Sequence, residues 1–257
     1  FGFSHLRRVN ENNIDLNRNC LEENQPYSGA HPGYTRLNAM LNPQSTPSKW
    51  DMFLPQAVWN IARHGLPSLK NSIAQGQYDF PKGLFFGGTE LSQSMTIIQD
   101  NLPRWVGSAT SILHLDLHTG LGKWGTYVLA SPADTSEAIN QSTAQYFGVD
   151  VMQSLQQGKV LYTIRGEFGG FCRNLFPQCD YLSLLAEFGT YPVLKVIAAL
   201  RHENRMWHWG QMGSSERMQA AQDLKETFAP DSSEWQHITV EKALKITDQA
   251  QRYLHRR

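Results

Sequence analysis

The chain has 257 residues, 40% of them apolar and 11% aromatic, enough for one large α/β domain or two small ones with an ordinary globular core. Its 23 basic and 23 acidic side chains cancel, which counts against nucleic-acid binding through bulk charge, and no apolar run reaches the roughly 18 residues of a membrane span. Three cysteines, Cys20, Cys172 and Cys179, with no CxxC between them, count against a disulfide framework and against a cysteine zinc site.

The chain opens on Phe1-Gly2-Phe3-Ser4-His5-Leu6 without an initiator Met, and residues 7–19, RRVNENNIDLNRN, crowd arginine, asparagine and acid around three aliphatic side chains. A guanidinium holds a carboxylate through two parallel charge-assisted hydrogen bonds, and Asn adds a donor and an acceptor. The segment therefore reads either as an anion-binding loop or as a solvated, turn-rich one. Residues 20–49, rich in Asn, Pro, Gly and Ser, predict a loop. Trp50, Phe53, Leu54, Ala57, Val58, Ile61 and Ala62 recur at helical spacing and predict a helix over 48–63, with Pro55 in its first turn or kinking it. A second helix is predicted around 66–75, and a third over 90–107 that Pro103 interrupts after about Asn101. Between them, FFGG (85–88) is a glycine turn without the strand-to-helix context of a phosphate loop.

The pattern then changes to period two. In SILHLDLHTGLG, Ile112, Leu113, Leu115 and Leu117 alternate with His114, Asp116 and His118, which predicts a strand running into a glycine loop. Further strands are predicted at 125–131, 159–166 and 181–189, and helices at 136–147, Val193–Trp207, 215–228 and 239–254. Strands alternating with helices predict an α/β fold: a three-layer sandwich in which a mixed twisted sheet carries helices on both faces, as a single domain over residues 1–257. His202, Arg205 and His208 read as surface residues, and the Trp207-His208-Trp209 cluster as packing.

In such sheets functional side chains gather past the C-terminal ends of strands, which directs attention to His118 and Glu187. Residues two apart share a face of a strand, so His114, Asp116 and His118 point the same way. Neutral imidazole is a common zinc ligand. His114 reads as part of a satisfied polar face, His118 at the strand end as functional, and Asp116 as support for a neighbouring imidazole. Glu187, closing the apolar strand YLSLLAEF, is a general-base candidate because partial burial raises a carboxylate's pKa; an exposed strand-end Glu is the plain alternative.

The order of these strings, RRVNE, then DLNRN, then DLHTG, then AEFG, resembles the zinc carboxypeptidase A-like peptidases, and within them an uncharacterised bacterial branch. The DLNR and DxH elements are shared by the related aspartoacylase and desuccinylase enzymes. The resemblance runs from residue 1 to about 195. It implies a carboxypeptidase-like fold and one zinc ion, with His118 as its third ligand and Glu187 as general base. It further implies Asn17 and Arg18 as the pair gripping the substrate's terminal carboxylate, and Arg7, with Arg8 as the lesser alternative, polarising the scissile carbonyl. Tyr162 lies in the region of the family's capping tyrosine. The family's first two zinc ligands come from a His-x-x-Glu, and none of the nine histidines here has Glu three residues on. The expectation is that this portion, with the remaining ligands, lies upstream of Phe1.

The expected function is a zinc-dependent hydrolase of an amide bond next to a free carboxylate, a metallocarboxypeptidase acting on small peptides. The rivals are a deacylase of N-acyl amino acids and a non-catalytic carboxylate-binding module. No nucleic-acid or membrane partner is expected, and zero net charge with few cysteines fits a bacterial cytoplasm.

Overall fold

The computed structural model describes residues 1–48, 50–132, 135–154 and 164–255. In chain order the helices and strands are α1 (Gly2–His5), α2 (Pro32–Leu41), α3 (Phe53–His64), α4 (Leu66–Ala74), α5 (Gln93–Val106), β1 (Ser111–Thr119), β2 (Tyr127–Ser131), α6 (Glu137–Phe147), β3 (Met152–Ser154), α7 (Phe168–Asn174), β4 (Asp180–Phe188), α8 (Val193–Trp209), α9 (Ser215–Phe228) and α10 (Ser233–His255). The class is α/β. The chain divides into two compact units that share it discontinuously. The first comprises Phe1–Thr96, Tyr162–Phe168 and Val193–Phe228; the second comprises Ile97–Leu161, Gly169–Pro192 and Ala229–Arg257.

The second unit is built on a mixed sheet of order β1-β4-β2-β3, with β1 and β4 parallel, β2 antiparallel to β4, and β2 parallel to β3. One face is apolar: Leu182, Leu184, Ala186 and Phe188 of β4 and Leu129 of β2 pack with Phe147 of α6 and Ile246, Ala250 and Tyr253 of α10, with Leu113 and Leu115 of β1 at the margin. Side chains two apart along β4, and Leu113 and Leu115 of β1, share the face that meets these helices. Truncating the fully buried Leu184 to Ala would cost about 2–5 kcal/mol. The opposite face starts at Tyr181, on which Phe176 stacks with ring centroids 6.0 Å apart, and continues through Ser183 and Leu185 to Glu187.

The first unit is helical. Residues 20–49 are not the loop their composition predicts, because α2 lies within them. Pro32 starts that helix where its missing N–H costs nothing, the His31 side chain accepts from the Gly33 N–H at 3.0 Å, and Tyr34, Leu37 and Leu41 bury one face. α3 begins at Phe53, five residues later than its apolar spacing suggests. α5 runs through Pro103 to Val106, where an interruption was expected; a proline so near the C-terminus removes one hydrogen bond without breaking the helix. Arg205 is buried rather than on the surface: its guanidinium donates to Asp51, to Ser45 O at 2.9 Å and to Thr46 O at 2.7 Å, and Arg201 shares Asp51 at 2.5 Å. Of the strand expected at 159–166, residues 159–163 lie outside the described residues, Tyr162 among them, and 164–166 are not strand. Among the described residues no helix is long and apolar enough to cross a membrane.

Candidate active site

In the second unit, the β1/β4 register sets His118 directly beside Glu187. Neighbours in a parallel ladder share a face at a strand spacing of roughly 5 Å, so imidazole and carboxylate emerge side by side at the C-terminal ends of two parallel strands. Asp116, two residues back on the same face, bonds His118 Nε2 at 2.8 Å. With Nε2–H donated to the Asp116 carboxylate, the lone pair of His118 Nδ1 is directed away from it and could bind a metal. His114, one step deeper, bonds Tyr181 Oη through Nδ1 at 3.0 Å, and burial lowers its pKa against the pull of Asp116. It is part of the polar face, as its position in the strand suggests.

Glu187 is buried, and its Oε1 accepts from the backbone N–H of Leu121 at 2.8 Å. That amide belongs to the glycine loop after β1, which is clasped to the end of β4: Gly120 N donates to Phe188 O (3.1 Å), Gly189 N to Thr126 O (2.9 Å) and Thr190 Oγ1 to Gly120 O (3.3 Å). The approach is close enough that a Cβ on Gly189 would lie 2.1 Å from Lys123 O, and Gly122 holds φ at +113°. Only glycine fits both conditions. The loop thus fixes an N–H donor on Glu187. No reading of the sequence singled out the Leu121 amide, though the GLG string after a strand end is the signal that marks it.

In the first unit, the opening segment forms a buried polar network. Asp15 starts a single 3₁₀ turn over Leu16–Arg18, its Oδ1 accepting from Asn17 N at 3.2 Å. Arg8 donates to its Oδ2, and Arg18 Nη1 stands 3.7 Å away. Burial alone would raise the Asp15 carboxyl; the two guanidiniums and the hydrogen bonds outweigh it and hold it below the usual carboxylate range. Arg18 is fully buried, with Nε and Nη2 donating to Ala74 O at 2.9 and 2.7 Å and Nη1 to Asn17 O at 2.9 Å. Arg7 is buried against Glu203 (2.7 Å), reaches Asn13 Oδ1 (3.1 Å) and lies over the Trp207 ring at 4.2 Å. Burial pushes the Glu203 carboxyl up against the attraction of Arg7.

Arg18 is committed to Ala74 O and Asn17 O, and Arg7 to Glu203 and Asn13 through Nε and Nη2, while Arg7 Nη1 is buried without a hydrogen-bond partner among the described residues. Asn17 is half-buried, its Oδ1 accepting from Phe168 N at 2.9 Å. Arg8, with 26% of its side chain exposed, keeps the most accessible guanidinium of the segment. The partners Glu203 and Asn204 were illegible in the sequence, nearly two hundred residues away from Arg7.

A family described as protein of unknown function (DUF2817) matches residues 1–242. The chain belongs to that family. No curated protein and no solved structure matches it. For this DUF2817 chain, zinc is tested by its donors. A catalytic zinc takes about three protein ligands. His118 Nδ1 is a suitable donor, but among the described residues no group of three or more His, Cys, Asp or Glu side chains is arranged to hold a metal ion. The described residues fall short of a zinc site by themselves.

Proposed function

We propose that this DUF2817 chain is a hydrolase of an amide bond adjacent to a free carboxylate, of the metallocarboxypeptidase type, acting on small peptides. The observation that carries the reading is the pairing of His118 with Glu187 at the ends of β1 and β4, with Asp116 on the far nitrogen of His118. A carboxylate buried at a strand end, with the Leu121 N–H donating to it, is oriented to take a proton from an attacking water and return it to the leaving amine. Asp116 fixes the ring of His118 so that Nδ1 meets whatever occupies the cleft. The resemblance of DLNRN and DLHTG to the zinc carboxypeptidases supports the substrate class. In this reading Arg18 holds the Asp15–Asn19 turn, donating to Asn17 O, and Arg7 ties the opening segment to Glu203 and Asn13. Zinc belongs to the reading through one donor, His118.

The test is hydrolysis of a panel of dipeptides and N-acyl amino acids by the protein purified without chelators, with metal content measured on the same sample. Release of C-terminal residues from dipeptides is expected. Turnover of N-acyl amino acids alone would replace the peptidase by a deacylase. Absence of turnover, with less than about a tenth of an equivalent of zinc bound, would leave a non-catalytic binding module.

A further inference from the structure

The first unit holds a second concave feature, an open groove of about 800 Å³ between α2 and α3. Leu37 and Met40 of α2 and Trp59 of α3 give it apolar walls, and Arg36, Arg63 and His64 stand around them. Its chemistry is one-signed. Between residues 24 and 78 the chain has four Lys or Arg (Arg36, Lys49, Arg63 and Lys70) and one carboxylate, Asp51. That carboxylate is already held by Arg201 and Arg205. No carboxylate lines the groove. Arg36 and Arg63 are exposed, and neither has an ion-pair or hydrogen-bond partner among the described residues; Arg63 only lies over Trp59, at 5.4 Å from the ring centre. The C-terminal end of α3 favours a cation near Arg63 and His64, but that preference leaves their N–H donors unspent. Trp59 is 58% exposed in a protein of zero net charge, an apolar surface framed by unpaired positive charge.

We propose that this groove docks an acidic, amphipathic peptide segment, whose aliphatic side chains lie on Leu37, Met40 and Trp59 while its carboxylates pair with Arg36 and Arg63. Enclosed pockets suit small ligands, most of whose surface they bury. An open groove between two helices with cations spaced along it suits a segment of chain laid into it. Arginine is the side chain that grips carboxylates in pairs of hydrogen bonds. The site lies within the first unit and is independent of the hydrolase reading.

The test is fluorescence anisotropy of the full chain with a labelled peptide of about 14 residues carrying Leu and Glu at helical spacing, amidated at its C-terminus so that no carboxypeptidase can shorten it. Binding is expected, at least about tenfold weaker for the Glu→Gln version and weaker as salt is raised. The R36E/R63E double variant, whose side chains contact no core, should keep its circular dichroism and lose the acidic peptide by at least about tenfold. Equal binding of the Glu and Gln peptides, or unchanged binding by R36E/R63E, would overturn the proposal. So would absent peptide binding, including the case in which the chain associates with phosphatidylglycerol vesicles instead.

Discussion

Two polar clusters in this molecule look alike on paper and differ in what their side chains are free to do. Residues 7–19 carry two charged signs and several amides, and the structure closes them on one another: Arg7 on Glu203, Arg8 and Arg18 on Asp15, Arg18 on Ala74 O and Asn19 on Gly87 O and Glu90 O. The β1/β4 end carries His118 with Asp116 on its Nε2, and Glu187 with the Leu121 N–H on its Oε1. A buried, satisfied network contributes to specifying a backbone path. An imidazole and a carboxylate placed side by side at two strand ends are oriented toward the sheet's C-terminal edge.

The sharpest way to break this contrast is Glu187→Gln. Gln keeps an oxygen for the Leu121 N–H, so the melting temperature should hold within a few degrees, while turnover in the dipeptide assay falls by about 10²–10⁴-fold. Near-full activity would remove Glu187 as the base. Arg18→Met should show the opposite profile. It strips Asp15 of one of its two guanidiniums and leaves Ala74 O unpaired, with an expected loss of about 3–5 kcal/mol in urea unfolding. A loss below about 1 kcal/mol, the scale of an exposed pair, would mean the network is not structural. Asp116→Asn should cost about 10–100-fold in activity by loosening His118, with little change in unfolding. The smallest effect is the acid limb. Asp15 has a lowered carboxyl pKa when folded, so the unfolded chain binds its proton more readily. The stabilisation is present in full above the ordinary carboxylate pKa of about 4 and is lost as pH falls through the lower folded value. Asp15→Asn should flatten that part of the stability–pH curve; an unchanged slope would assign the acid sensitivity elsewhere.

The strand that carries His118 was legible because its geometry is written as alternation, which falls inside β1, and the strand that carries Glu187 because a strand buried on both faces reads as a continuous apolar run. The shared face of His114, Asp116 and His118 followed from the same period. What alternation cannot supply is the partner across the sheet: β1 and β4 are separated by 60 residues and more, and their register comes from packing of the whole unit. α2 was hidden because composition outweighed spacing, although Pro32 at a helix start and Tyr34, Leu37 and Leu41 on one face were there to be read. The partners of the opening segment were undecided in the sequence for a physical reason. Arginine and asparagine suit a carboxylate whether it belongs to a ligand or to the chain, and local sequence does not tell the two apart. Arg205 and Arg7 repeat that lesson, since each found its acid or carbonyl far away along the chain.

One consequence follows from the place of β4 within its sheet. Glu187 is laddered on both sides, to His118 through β1 and to Val128 through β2. Its main chain is anchored like the middle plank of a floor, and sliding it would tear two rows of hydrogen bonds at once. Under the proposed hydrolase reading, any adjustment must come from its own side-chain torsions or from the incoming molecule, so guests would have to align themselves to a main chain that stays put.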